Sequence, residues 1–173
     1  AAWPSRKNCK GRLIHCYDNV LPFKKNSFDL ILSQQVIEHV GVVGDSIKLQ
    51  KNHDQIRYDF CKNLIKFLKP GGSLQIATPN RHFPIDPGHE HNFGRYRIHT
   101  PFDKFLVSYK DMKRYFYPHK VQALTPVGYY TGTSFSDNNL GKLFNKYLNI
   151  IGKYKILFSS PLNPLCSVLV TKI

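Results

Sequence analysis

Five hydrogen-bonding side chains, Ser33, Gln34, Gln35, Glu38 and His39, follow directly on the apolar run "FDLIL" of residues 28–32. Polar residues after a buried strand sit where an open α/β sheet holds its ligands, beyond the carboxyl ends of the strands. His39 is the candidate catalytic residue, because an imidazole exchanges protons near neutral pH and can serve as a general base. Glu38 reads rather as a cap or pocket wall. Asn80, Arg81 and His82 follow a second strand-like run, "SLQIAT" at 73–78, and form the candidate substrate-facing group. A third set, His82, Asp86, His89, Glu90 and His91, puts three imidazoles and two carboxylates within ten positions. Such donors can ligate zinc or iron. Their spacing matches no helical pair such as H-E-x-x-H, and Pro84, Pro87 and Gly88 interrupt the segment. The preferred reading is a loop facing an acceptor pocket, with no metal ligand assigned. Asp29 lies at the opposite end of its strand and reads as a tie for the preceding turn. Tyr96, Arg97, Tyr129 and Tyr130 read as packing residues.

The elements that must position these residues follow from periodicity. "RLIHCY" (12–17) alternates as an edge or half-buried strand does, and Asp18-Asn19 ends it. Pro22 and "KKNS" lead into 28–33, a near-continuous apolar run of the kind found in central parallel strands. From 54 to 68 the apolar residues Ile56, Phe60, Leu64, Phe67 and Leu68 recur at helical spacing. "KPGG" (69–72) stops that helix rather than cradling a phosphate, since it follows a helix and precedes a strand. Strand, helix and strand in this order make a βαβ unit with parallel pairing. A long irregular stretch (79–101) precedes a predicted helix at 102–116, a segment at 120–130 that reads as a strand continuing into a turn, a helical piece "NLGKLFNKYLNII" and a buried closing strand, "LCSVLVTKI".

Composition narrows the classes. The chain has 173 residues, 42% hydrophobic and 13% aromatic, which suits one globular domain. Its apolar runs are too short for a transmembrane helix, and residues 1–10 lack the apolar core of a secretory signal. Four scattered cysteines without a C-x-x-C pair argue against a zinc ribbon or disulfide scaffold and fit a reducing, cytoplasmic setting. Twenty-five basic against eleven acidic residues give a net charge of +14, which attracts nucleic acid or other anionic surfaces. The lysines are spread along the chain, as on solvated helix faces, rather than gathered into a nucleic-acid groove.

Two segments, "YDNVLPFKKNSFDLILSQQVIEHV" and "LIKFLKPGGSLQIATPN", together resemble the second half of class I S-adenosylmethionine-dependent methyltransferases, closest to the methyltransferase type 11 family. The resemblance covers residues 13–80, in order and at the family's spacing. It implies an α/β, Rossmann-like fold with a mostly parallel sheet and an antiparallel last strand. It also implies S-adenosyl-L-methionine as cofactor and a small-molecule methyl acceptor. Asp18 and Asn19 would meet the adenine, while Ser33, Gln34 and Gln35 would line the pocket near the methionine end. The family's glycine-rich loop is not matched, since no G-x-G pair occurs. The expectation is therefore a single N-terminally truncated methyltransferase domain over 1–173, with a core at 12–80 and a substrate-side remainder at 81–173. A half-built cofactor site, an exposed edge on 28–33 open to self-association, and "RLIHCY" either beside that edge or loosely packed follow from it. The alternatives are a non-catalytic remnant of the same fold and a basic partner-binding module for RNA or an anionic surface.

Overall fold

The computed structural model describes residues 21–44, 46–86, 89, 97–128 and 139–173. Strand β1 (Phe28–Gln34) is followed by a 3-10 turn at Ile37–His39 and helix α1 (His53–Phe67). Then come strands β2 (Leu68–Pro79), β3 (Ile85–Asp86) and β4 (Arg97–Ile98), and helix α2 (Tyr109–Tyr115). Strand β5 (Lys120–Ala123), helix α3 (Asn139–Gly152), a second 3-10 turn (Lys155–Leu157) and strand β6 (Leu165–Thr171) complete the described chain.

The main sheet runs β1-β2-β6-β5. β1 and β2 are parallel, whereas β6 is antiparallel to both β2 and β5. Hence β1, β2 and β5 share one direction, and the last strand lies inserted between two of them against the grain. This is the mixed, mostly parallel α/β sheet that the sequence implied. β6 lies between two neighbours, and its residues from Leu165 to Val168 are all buried, which explains its continuous apolar run. Among the described strands β1 is an edge, with Leu30 and Leu32 exposed. The predicted strand 12–17 lies outside the described residues.

Helix α1 covers the predicted helix. Arg57, Cys61, Leu64 and Ile65 recur on one face and are buried there. Their face joins Leu74, Ile76, Val168 and Val170 of the sheet and Met112, Tyr115 and Phe116 from α2 and its end in one core. "KPGG" behaves differently from a simple helix stop. The helix ends at Phe67, and the strand starts at once with Leu68. Pairing jumps from Phe28↔Leu68 to Leu30↔Ser73, so these four residues bulge out of β2. A Cβ on Gly72 would fall 2.9 Å from the Lys69 carbonyl oxygen and 3.2 Å from that of Asp29, so only glycine fits there.

One predicted element is shorter than its apolar pattern. The helix expected over 102–116 starts only at Tyr109, where Ser108 and Asp111 form a reciprocal capping box. Residues 103–107 are used otherwise. The amide of Phe105 binds the Asp103 carboxylate at 2.9 Å, the carbonyls of Lys104 and Phe105 accept from Arg57, and Val107 bridges to Asn80. The strand expected to begin at 120 and continue into a turn does so: it is regular from Lys120 to Ala123, after which Pro126 and a left-handed Gly128 turn the chain away.

Two polar links tie the helices to the rest. Arg57, 1% exposed, donates to four carbonyls: Val40 (3.0 Å), Glu38 (2.9 Å), Lys104 (2.8 Å) and Phe105 (2.7 Å). Asp54, in the first turn of α1, accepts two hydrogen bonds from Arg114 at 2.6 Å each and one from the Tyr115 hydroxyl at 2.7 Å. The Arg114 guanidinium, with the Tyr115 hydroxyl behind it, holds the Asp54 carboxyl well below the usual carboxylate range.

Arg57→Met should therefore lower stability by at least about 3 kcal/mol in denaturant unfolding, since four carbonyls would lose their donor together. Arg57→Lys should rescue little, because a compact ammonium cannot span the four acceptors. A loss under about 1 kcal/mol for Arg57→Met would refute this role. Asp54 has a folded-state pKa below its unfolded value of about 3.9, so its contribution is present above that pH and lost as pH falls toward the depressed value. The pair is half-exposed, so the contribution is below about 1 kcal/mol. Thermal unfolding of wild type and Asp54→Asn should differ at pH 7 and converge in acid.

Candidate active site at the strand tips

Parallel pairing brings the carboxyl ends of β1 and β2 to the same edge, with Ser33 opposite Ile76 and Gln34 opposite Ala77. Gln35 then turns the chain out of the sheet in the left-handed region (φ 52°), its amide donating to the Ala77 carbonyl at 2.8 Å. A non-glycine residue there is strained, and such strain gathers at functional sites. The following 3-10 turn buries Ile37 and Glu38 and leaves the His39 side at the surface. Gly41 (φ 78°) closes the turn, and a Cβ on it would meet the His53 Cα at 2.9 Å. Arg57 clamps the turn from beneath through the Glu38 and Val40 carbonyls.

Among the described residues, four buried polar atoms at these tips find no hydrogen-bond partner: the Ser33 and Thr78 hydroxyl oxygens and both carboxylate oxygens of Glu38. Unpaired buried groups are few in folded proteins, and each asks for a ligand or a strain role. Burial pushes the Glu38 carboxyl above its ordinary value, and its own backbone amide, then the Thr78 hydroxyl and His89 beside it, offset part of that shift. Thr78 does so without reaching normal hydrogen-bond geometry.

A histidine pair stands next to Glu38. The Asp86 carboxylate, fully buried, lies 2.9 and 3.0 Å from His89 Nδ1. His89 Nε2 lies 3.1 Å from His39 Nε2. Arg97 binds Asp86 at 3.2 Å and also pairs with Asp103, so the anchor of the pair is itself held. Phe105 meets both imidazoles edge-on, at 5.7 Å from His39 and 4.8 Å from His89, and Arg97 covers the Phe105 ring. A cavity of about 370 Å³, lined by His39, Val40, Gly41, Gln50, Ile56 and Phe60 among others, opens beside His39.

The structure thus brings together Ser33, Gln34, Gln35 and His39, with Gln34 and Gln35 exposed at the rim. Asp18 and Asn19 lie outside the described residues, as do Glu90, His91, Tyr96, Tyr129 and Tyr130. The predicted substrate trio divides. Asn80 is 4% exposed and gives both amide hydrogens to the carbonyls of Ser160 (3.1 Å) and Asn163 (2.7 Å), so it ties two loops together instead of facing a substrate. Arg81 pairs with Asp111 at 2.8 Å and reaches Ser108, which binds it to the cap of α2. His82 is exposed. Asp29 pairs with Lys69 at 2.8 Å at the far end of β1 rather than with its preceding turn. Thr78, Arg97 and Phe105 carried no sequence signal as site residues; only the placing of Thr78 one position before Pro79, at a strand end, could have marked it.

The Asp86 carboxylate should hold the Nδ1–H tautomer of His89. Asp86→Asn should shift the His89 ring-nitrogen signals in long-range 15N spectra toward a mixed tautomer population. Unchanged signals would show that Asp86 does not set this ring. Asp86→Ala, which also strips Arg97 of its buried partner, should cost about 3–5 kcal/mol of stability.

Residues 4–76 match the family model described as a methyltransferase domain. No curated protein is similar to the chain at a significant level. Among solved structures, the chain is similar to an S-adenosylmethionine-dependent methyltransferase from Mesorhizobium loti, with 12% identity over 91% of this chain and 67% of that one, TM-score 0.44. A putative methyltransferase in complex with the Haloferax volcanii Trm112 methyltransferase activator gives 13% identity, 89% and 58% coverage and TM-score 0.41. Geranyl diphosphate C-methyltransferase from Streptomyces coelicolor A3(2), in complex with Mg2+, geranyl diphosphate and S-adenosyl-L-homocysteine, gives 17% identity, 90% and 50% coverage and TM-score 0.36. The chain spans between half and two thirds of the length of these structures. Residues 4–76, which contain β1, the 3-10 turn of Glu38 and His39, α1 and most of β2, carry the sequence signature of the methyltransferase-domain family.

Proposed function

We propose that the chain acts in S-adenosylmethionine-dependent methyl transfer to a small-molecule acceptor, with the strand tips on the cofactor side and the cavity beside His39 on the acceptor side. The observation that supports this most is the pair of buried, unpartnered hydroxyls of Ser33 and Thr78 at the ends of two parallel strands, within and beside the segment that matches the methyltransferase family. An open α/β sheet offers that place to its ligand.

Bound S-adenosyl-L-methionine supplies a sulfonium methyl that is already activated for transfer. The protein's part is then chiefly alignment and exclusion of water. Ser33 offers a hydroxyl from the floor of the tip, while Gln34 and Gln35 offer amides at the rim. Asp18 and Asn19 are assigned to the adenine by the family pattern. The cavity beside His39 is the acceptor side. His39 was the candidate general base, but its Nε2 faces His89, so positioning of the acceptor wall is the role its geometry favours. Asn80 and Arg81 hold the segment after β2, leaving His82 as the one member of the trio with an exposed side chain.

Titration of the 15N-labelled chain with millimolar S-adenosyl-L-homocysteine should shift the amides of Ser33, Gln34, Gln35 and Thr78 and leave those of α3 unmoved. Ser33→Ala should weaken the fitted affinity by about 2- to 10-fold, the value of one hydrogen bond. Saturable shifts elsewhere, or none at the tips, would sink the proposal.

A further inference from the structure

We propose that Glu38, His39 and His89 form a binding site for one divalent first-row transition metal ion, with zinc the best match to the donor set. Their ligand atoms all lie within 4.8 Å of one another. Two imidazoles and one carboxylate are a recurrent catalytic zinc set and also suit other first-row metals, and three protein ligands leave a position for an exogenous oxygen.

Three observations support it independently of the methyl-transfer reading. First, the two Nε2 atoms are 3.1 Å apart. Two nitrogens each about 2.0–2.1 Å from one tetrahedral ion stand about 3.3–3.4 Å apart, so the rings are already near the required spacing. Secondly, Asp86 engages His89 Nδ1, which in the neutral ring leaves the Nε2 lone pair directed at His39. A carboxylate behind a ligating histidine is the usual support for a metal-bound imidazole, and here Arg97 in turn fixes that carboxylate. Thirdly, Glu38 is 0% exposed and both of its oxygens lack a hydrogen bond. A simple imidazole–imidazole hydrogen bond would account for the histidine spacing but leaves the buried carboxylate unexplained. An ion between the three accounts for both. Phe105 walls the pair on its apolar side, which limits the water around such an ion.

The test uses the full chain, stripped with a chelator and dialysed against Zn2+, with metal counted by mass spectrometry, and against Co2+, read by absorption. The expected result is one ion per chain and a Co2+ spectrum without thiolate charge-transfer bands, since the donor set among the described residues is Glu38, His39 and His89 and holds no cysteine. His89→Gln and Glu38→Gln should each lower the affinity at least tenfold. Glu38→Gln should at the same time raise the Tm of the metal-free protein, because it removes an unpaired buried charge. That rise shows the variant folded and separates loss of the ligand from loss of structure. Less than stoichiometric metal in the wild type, thiolate bands in the Co2+ form, or equal binding by wild type and both variants would overturn the site.

Discussion

The guanidinium of Arg57 is the interaction on which the remainder depends. It leaves α1 and reaches, within one side chain, the carbonyls of the Glu38–Val40 turn on one side and of Lys104–Phe105 on the other. The first is a single 3-10 turn and the second lies ahead of α2, and within neither do these carbonyls find a backbone donor among the described residues. Buried carbonyls without donors would be costly, and an arginine with five donors in a planar fork is the side chain able to serve several at once. Burial lowers its pKa, yet a guanidinium remains charged. The clamp therefore sets the position of Glu38 and His39 relative to Phe105, and through Phe105 relative to His89.

From that clamp the polar centre grows outward in layers. Asp86, Arg97 and Asp103 form a buried ion-pair chain that orients His89. β3 and β4 are only two residues long each, and Asp86 and Arg97 are direct partners in their register. The ion pair and the strand pair thus support one another. Asn80 and Arg81, at the end of β2, fasten the neighbouring loops to Asn163 and to the cap of α2. Stability and site share residues here. The exceptions are Ser33, Thr78 and Glu38, whose buried polar atoms do nothing for the fold and are the natural places for bound groups.

Much of the frame was legible from periodicity. The helix at 53–67 followed from apolar residues at helical spacing, and the parallel pairing of 28–34 with 68–79 from a strand–helix–strand order. The buried last strand followed from an unbroken apolar run. The misjudged element failed for a local reason. An apolar pattern over 102–116 looks helical, but Ser108 and Asp111 start the helix late and Arg57 draws the carbonyls before them into a different network. "KPGG" lies just past the end of the helix, as its composition predicts, and what spacing does not show is that the same residues form a bulge at the start of the next strand.

The sequence by itself determined the order of elements, the polar tips after 33 and 78, and the family pattern that runs through residues 13–80. Those depend on spacing along the chain, which is all that a sequence displays. Only the tertiary structure decided that His89 stands against His39, fifty positions away, and that Glu38 lies beside them without a hydrogen bond. It also decided that Asn80 and Arg81 are used by the fold. These are matters of contact between distant segments, fixed by packing of the loop after β2 on the turn after β1, and no local preference of either segment specifies them.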